Sequence, residues 1–187
     1  MQERSLTTRE AEDTLETVDS EDDLRAYLEE IAPFIGWIII YFNSLEDTIA
    51  ACLREALLRD PIQDERLDVF LSDMLFAGKC KALMHSYGQM ISSCDIKYTH
   101  DDLNELEKLL LECAKRRNEY AHADWIGMKQ DVYVRVKSQS KKLGILHRYK
   151  KFEPAQMEAD IQYIHAARDE LEIFNGRIHD QLWGREK

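Results

Sequence analysis

Apolar residues recur at intervals of three and four along most of this chain, a spacing that places side chains on one face only in a helix. Leu45, Ile49, Cys52/Leu53 and Ala56 follow it, as do Phe76, Cys80, Leu83, Tyr87, Met90 and Cys94. So do Leu103, Leu106, Leu110 and Cys113, and later Met157, Ile161, Ile164, Leu171, Ile178 and Leu182. Seven Gly and three Pro in 187 residues leave few places for breaks. These spacings predict a mostly α fold, a bundle of about five helices.

One segment has a different period. Val132, Val134 and Val136 alternate with Tyr133, Arg135 and Lys137, the two-residue repeat of a strand. Ser138-Gln139-Ser140 reads as the turn, and Leu143 to Phe152 as a returning strand. The expectation is a small β-hairpin insertion, about residues 129–151, before the last long helix.

The remaining boundaries follow from caps and prolines. Residues 1–19 alternate Thr with acids and hold few apolar anchors, which predicts an acidic, mobile tail. Residues 20–187 then form a single domain. Ser20 and Asp23 form a capping box for a helix to about Ala32, and Pro33 ends that helix or begins the next. A second helix is expected from Phe34 to Arg59, a third from about Asp64 to Cys94, and a fourth behind His100-Asp101-Asp102. The stretch Phe34 to Phe42 is apolar on every side, more than one small bundle readily covers, so part of it is expected to face a partner subunit.

Charge and cysteine usage narrow the function classes. The formal net charge of −11 argues against a nonspecific nucleic-acid coat. The charge is uneven, however. Met1 to Glu30 carries eleven Asp/Glu against three Arg, a balance of −8, whereas Lys129 to Lys151 carries eight Lys/Arg against one Asp, a balance of +7. Cys52, Cys80, Cys94 and Cys113 show no CxxC and no short pairing with His, so buried reduced thiols are expected. The acidic N-terminal stretch lacks a signal pattern, and the apolar run is shorter than the roughly 20 residues of a spanning helix. The expected setting is the cytoplasm, with no membrane partner.

The candidate chemistry lies at the end of the fourth helix, in Arg117-Asn118-Glu119-Tyr120-Ala121-His122. At about 100° per residue, Arg117 continues the stripe of Leu106, Leu110 and Cys113. A buried arginine needs a carboxylate, a cleft or another subunit. Asn118 and His122 lie one turn apart on a different face. Among other residues, Glu46 and Asp47 are candidates to pair with Arg117, and Tyr120 to support the motif. HExxH, P-loop and GxGxxG patterns are absent from the sequence, so no cofactor or metal is called for.

This hexapeptide, followed by Ala123-Asp124-Trp125, resembles the Rx4–6H motif of HEPN domains, with a polar residue after the Arg. The order of helices around it resembles a HEPN-like helical bundle over roughly residues 20–183. The resemblance implies a metal-independent endoribonuclease, frequent in toxin–antitoxin and antiviral defence systems, acting as a homodimer whose two motifs share a cleft. It implies Arg117, His122 and Asn118 as catalytic residues, RNA as substrate, and a cognate antitoxin or regulatory protein as a partner. The alternative is a non-catalytic HEPN-like module that binds RNA, nucleotide or protein. The chemistry suits the residues. His carries a proton near neutral pH, and the planar, permanently charged fork of Arg matches phosphate oxygens. Lys141, Lys142, Arg148, Lys150 and Lys151, interleaved with Tyr133, His147 and Tyr149, form the expected RNA-binding set on the hairpin.

Overall fold

The structure, a computed structural model, describes residues 3–16, 18, 20–94, 96–142 and 144–182. Among them are six α-helices and four strands. The order is β1 (Glu3–Thr7), α1 (Thr8–Thr14), α2 (Glu21–Leu57), α3 (Arg66–Asp73), α4 (Phe76–Ser93), α5 (His100–Ala121), β2 (Asp124–Lys129), β3 (Tyr133–Lys141), β4 (Gly144–Lys151) and α6 (Pro154–Leu182). The strands make one antiparallel sheet in the order β1-β4-β3-β2. This is an α+β fold, which corrects the expected mostly helical, HEPN-like bundle with a small hairpin insertion.

The correction has a physical cause. The predicted hairpin is only the middle of the sheet, and its two outer strands carry no alternating apolar pattern of their own. β1 comes from the stretch expected to be a tail, and its residues pair with Leu146 to Lys150 of β4. Thr7 then starts α1 with a complete capping box: its hydroxyl accepts from Glu10 N, and its backbone N–H donates to the Glu10 carboxylate at 2.8 Å. Ala11 and Leu15 are buried on Tyr133 and Tyr149, with Leu6 packed alongside. Residues 3–15 are therefore a strand and a docked helix. Met1, Gln2, Thr17 and Asp19 of the expected tail lie outside the described residues.

The described residues group into two compact units. The first is Met1–Ile39 with Arg116–Ile161, and the second is Ile40–Lys115 with Gln162–Lys187. The first holds the sheet, α1 and the last turn and a half of α5. The second is helical, with Phe42, Leu45, Ile49, Leu53, Cys80, Leu83, Tyr87, Leu110, Ile164, Leu171 and Ile178 in its core.

Three boundaries differ from the sequence expectation. α2 is one helix of 37 residues with Pro33 inside it and exposed. Burial of Ile31 and Ile38, two turns apart on the inner face, outweighs the one hydrogen bond a helical proline forgoes. α2 also contains an 18-residue window with mean hydropathy 1.2, which meets the length and composition of a membrane-crossing helix as well as of a core helix. The expected third helix is two, α3 and α4, broken at Met74 and Leu75. Leu71 and Phe76 are both buried, yet five residues would set them about 140° apart on one continuous helix. Finally, Ser138 to Ser140 continue β3 instead of turning. The strands close between the paired residues Lys141 and Gly144, where Gly144 takes φ +126°, a value side chains disfavour. Leu143, expected to open the returning strand, lies outside the described residues.

Candidate functional site at the end of the fifth helix

The last turn of α5 divides its residues between two tasks. Arg116, Glu119 and Tyr120 stand three and four apart and so share a side of the helix. Each is tied down. Asp160 of α6, 3% exposed, accepts from Arg116 Nη1 at 2.7 Å, Tyr120 Oη at 2.5 Å and Gln156 Nε2 at 3.2 Å. Burial first, then the Asp160 contact, push the Tyr120 phenol well above its ordinary range, so it remains a donor. Glu119 receives the Arg148 guanidinium at 2.7 Å and the Lys150 ammonium, both from β4. Trp125 Nε1 donates to the Tyr120 carbonyl at 2.9 Å, and the Tyr120 and Trp125 rings meet Phe152 at centroid distances of 4.8 and 5.0 Å.

What remains of the motif faces elsewhere. Asn118 and His122 are exposed, and the His122 backbone N–H donates to the Asn118 carbonyl at 3.1 Å, closing the helix just before β2. The two side chains lie one turn apart, so one phosphate can reach both. Arg117 is half-buried. Arg117 and His122 are about 140° apart around the helix axis, so one copy of α5 does not aim them at the same point. Of the acids considered as partners for Arg117, Glu46 receives Lys79 Nζ at 2.7 Å and Asp47 is exposed.

The hairpin sorts its residues by face, as a two-residue period requires. Tyr133, Arg135, Ser138, His147 and Tyr149 share the side covered by α1, and Val134, Arg148 and Lys150 share the other. The aromatic residues expected to stack on RNA are thus buried under α1. Lys150 is 5% exposed and Arg148 half-buried, both held by Glu119, with Arg148 also 3.7 Å from Glu3. Lys151 is half-buried. Lys141 and Lys142 are exposed at the hairpin tip, joined by Lys137, which the sequence reading did not single out.

The Arg116–Tyr120–Asp160 network is the main feature missed in the sequence. A signal for it exists: Asp160 follows Met157 by three and precedes Ile164 by four, on the buried stripe of α6, where a carboxylate needs a partner. A cleft of about 620 Å3 between α4 and α5, lined by Lys81, His85, His100 and Glu107, includes none of the motif residues. Among the described residues, no group of three or more His, Cys, Asp or Glu side chains is placed to hold a metal ion. Compared with family models, with curated proteins and with solved structures, the chain matches none.

Proposed function

We propose that the chain is an endoribonuclease that cleaves RNA through the substrate's own 2′-hydroxyl, with His122 as proton carrier, Arg117 as anion stabiliser and Asn118 as a phosphate or His122 ligand. The observation that carries this is the division of labour in the last turn of α5. Its Arg116, Glu119 and Tyr120 are committed to Asp160, Arg148 and Lys150, while Asn118 and His122 stand in solvent on the fixed end of the helix. A rigid backbone carrying an exposed imidazole is what general acid–base chemistry needs.

In the reaction, His122 takes the proton from the 2′-hydroxyl as O2′ bonds to phosphorus. Arg117 balances the charge that builds on the phosphoryl oxygens. The P–O5′ bond breaks, O5′ receives a proton from a second imidazole, and a 2′,3′-cyclic phosphate is left. A homodimer supplies that second imidazole and lets Arg117 and His122 from two copies converge. Trp37 and Ile40, each about half exposed and three residues apart on α2, offer apolar surface for such an assembly. The resemblance of the motif extends the proposal to a cytoplasmic toxin or defence effector, with a cognate antitoxin or regulator as partner. The exposed Lys137, Lys141 and Lys142 give the substrate a cationic approach.

The test is incubation of wild type and His122→Ala with total RNA in excess EDTA. Wild type is expected to cleave, and the variant to lose about 10²–10⁴-fold in rate. Equal cleavage by both proteins, or cleavage abolished by EDTA, overturns the mechanism. RNA binding without any cleavage by wild type favours the non-catalytic module. Mixing Arg117→Ala with His122→Ala restores activity if one site draws on two copies, and restores none if each chain supplies its own pair.

A further inference from the structure

Five of the eleven exposed large apolar side chains among the described residues fall within residues 57–75. Leu57, Ile62, Val69, Phe70 and Leu75 are each more than half exposed. A single exposed apolar residue is ordinary, but such a concentration marks an interaction surface. They lie on α3 and on the segments that lead into and out of it, all within the second unit. At about 100° per residue, Arg66, Val69, Phe70 and Asp73 share the outer face of α3, while Leu71 is buried.

The same segment is acidic, with five Asp/Glu against two Arg, a balance of −3. Part of this charge is settled: Asp64 pairs with Arg66, and Asp68 accepts from Arg54 Nη1 at 2.7 Å. Glu65 and Asp73, one at each end of α3, are exposed. Their carboxylates make no hydrogen bond or ion pair among the described residues. Eight steps of 1.5 Å set these two residues about 12 Å apart along the helix axis, with Val69 and Phe70 between them. Beside Val69 a groove of about 550 Å3 is lined by Asp60, Asp64 and Glu65. What covers this face must therefore be apolar in the middle and cationic on either side. RNA and anionic lipid are both repelled by it.

The β3–β4 hairpin, within the first unit, carries a surface with that pattern. Ser138 faces the α1 side, where its hydroxyl meets His147 Nδ1 at 2.8 Å. Lys137, Gln139 and Lys141 therefore face the other side of the sheet. Gln139 pairs with Leu146 and Lys141 with Gly144, so the half-buried Leu146 lies between the levels of the two lysines. Four steps of about 3.4 Å separate Lys137 from Lys141 by about 13 Å, close to the spacing of the two carboxylates on α3. Lys137 and Lys141 are exposed, and their ammonium groups make no hydrogen bond or ion pair among the described residues.

We infer that the outer face of α3 is the docking surface for the hairpin of a second copy of this chain. Glu65 and Asp73 receive Lys137 and Lys141 of that copy, and Val69 and Phe70 pack on its Leu146. Opposite charges at matched spacing set the register of the contact, and the apolar centre supplies its affinity. Face and hairpin are different surfaces, so the contact is head to tail, unlike a twofold pairing through Trp37 and Ile40. Lys137 and Lys141 also belong to the cationic approach proposed for RNA, and on that reading RNA and a second copy compete for the hairpin. The contact itself does not depend on whether Arg117 and His122 cleave RNA.

Sedimentation velocity of the full chain, free of RNA, tests it with two variants that each remove one half of the contact. Phe70→Asp spoils the face and Lys137→Glu/Lys141→Glu spoils the hairpin, all on exposed side chains. A mixture of the two keeps one intact face and one intact hairpin. With one variant labelled, the mixture should associate at least about tenfold more tightly than either variant with itself. The Trp37 and Ile40 surface is unchanged in every pairing, so a twofold assembly adds equally to all of them and cannot produce the difference. Reversing both signs, with Glu65→Lys/Asp73→Lys added to Lys137→Glu/Lys141→Glu, should restore self-association to the wild-type level. A mixture no tighter than the like pairs, or Phe70→Asp that self-associates as wild type does, overturns the assignment and leaves α3 to a different partner.

Discussion

The two units of this protein are built on contacts of opposite range. In the helical unit the core residues repeat every three or four positions, and each helix carries its own instruction to bury a face. In the sheet unit the central contacts join residues more than a hundred positions apart: Leu6 pairs with His147, and Tyr27 donates to the Phe152 carbonyl. The polar interiors differ as well. The helical unit holds a short chain in which Tyr87 donates to Asn175 and Asn175 to Glu55, at 2.7 Å each. The sheet unit buries a carboxylate, Asp160, under three donors. A unit assembled from distant segments gains specificity from such a network, because only the correct docking of α5 on α6 satisfies it.

The largest expected effect on this comparison is alkaline. Burial pushes the Cys52 and Cys80 thiols of the helical unit up to about 12, and the Tyr27 phenol of the sheet unit to about 12. Tyr87 and Tyr120 also move up, again chiefly by burial. A group whose folded pKa is raised leaves stability untouched below its unfolded pKa and erodes it up to the folded value. The thiols act from their ordinary value of 9.0 and the phenols from 10.0. Urea-unfolding stability should therefore be flat up to about pH 9 and fall by several kcal/mol toward pH 12. In Cys52→Ala/Cys80→Ala the onset should shift to about pH 10. An unchanged onset would mean that the buried thiols are not what alkali attacks first.

The asymmetry between the units also decides what could be read in the sequence. The stripes that predict α5 and α6 need only local residues, and both helices occupy those segments. The alternation of Val132, Val134 and Val136 announces β3 for the same reason. β1 has no such signal, because Glu3–Thr7 is a strand only in the presence of β4. Without a sequence signal for β1 and α1, the aromatics of the hairpin have no visible cover in the sequence, and Tyr133, His147 and Tyr149 resemble surface residues. For the candidate site, the hexapeptide of α5 was legible and the roles of its interior positions were not. Nothing within the hexapeptide tells that Glu119 holds β4 or that Tyr120 reaches Asp160, 40 residues on.

Breaking the buried carboxylate should cost the sheet unit more than the matching change costs the helical one. Asp160→Ala takes the buried acceptor away from Arg116 Nη1 and the Tyr120 hydroxyl, an expected loss of about 3 kcal/mol. Asn175→Ala leaves the Tyr87 hydroxyl without its acceptor, about 1–2 kcal/mol. Chemical denaturation of both variants measures the difference, and equal losses would show that the Asp160 network is not the stronger tie.

A smaller effect, of opposite sign, is expected at the β2–β3 connection. Asp131 and Val132 both take positive φ, at 59° and 57°, and a β-branched residue is strained there. Val132→Gly should raise stability by about 1 kcal/mol, since relief of strain exceeds the added entropy of the unfolded glycine. A loss of stability would assign Val132 a packing role that outweighs its backbone.

The most direct test of the central claim, that neighbouring residues in one helical turn divide into anchors and chemistry, is a paired measurement of thermal midpoint and RNA cleavage on Arg116→Ala and His122→Ala. Arg116→Ala should lower the midpoint by several degrees and still cleave at a temperature where it is folded. His122→Ala should keep the wild-type midpoint and lose cleavage by about 10²-fold or more. Full cleavage by folded His122→Ala, or a midpoint untouched by Arg116→Ala, would contradict the account.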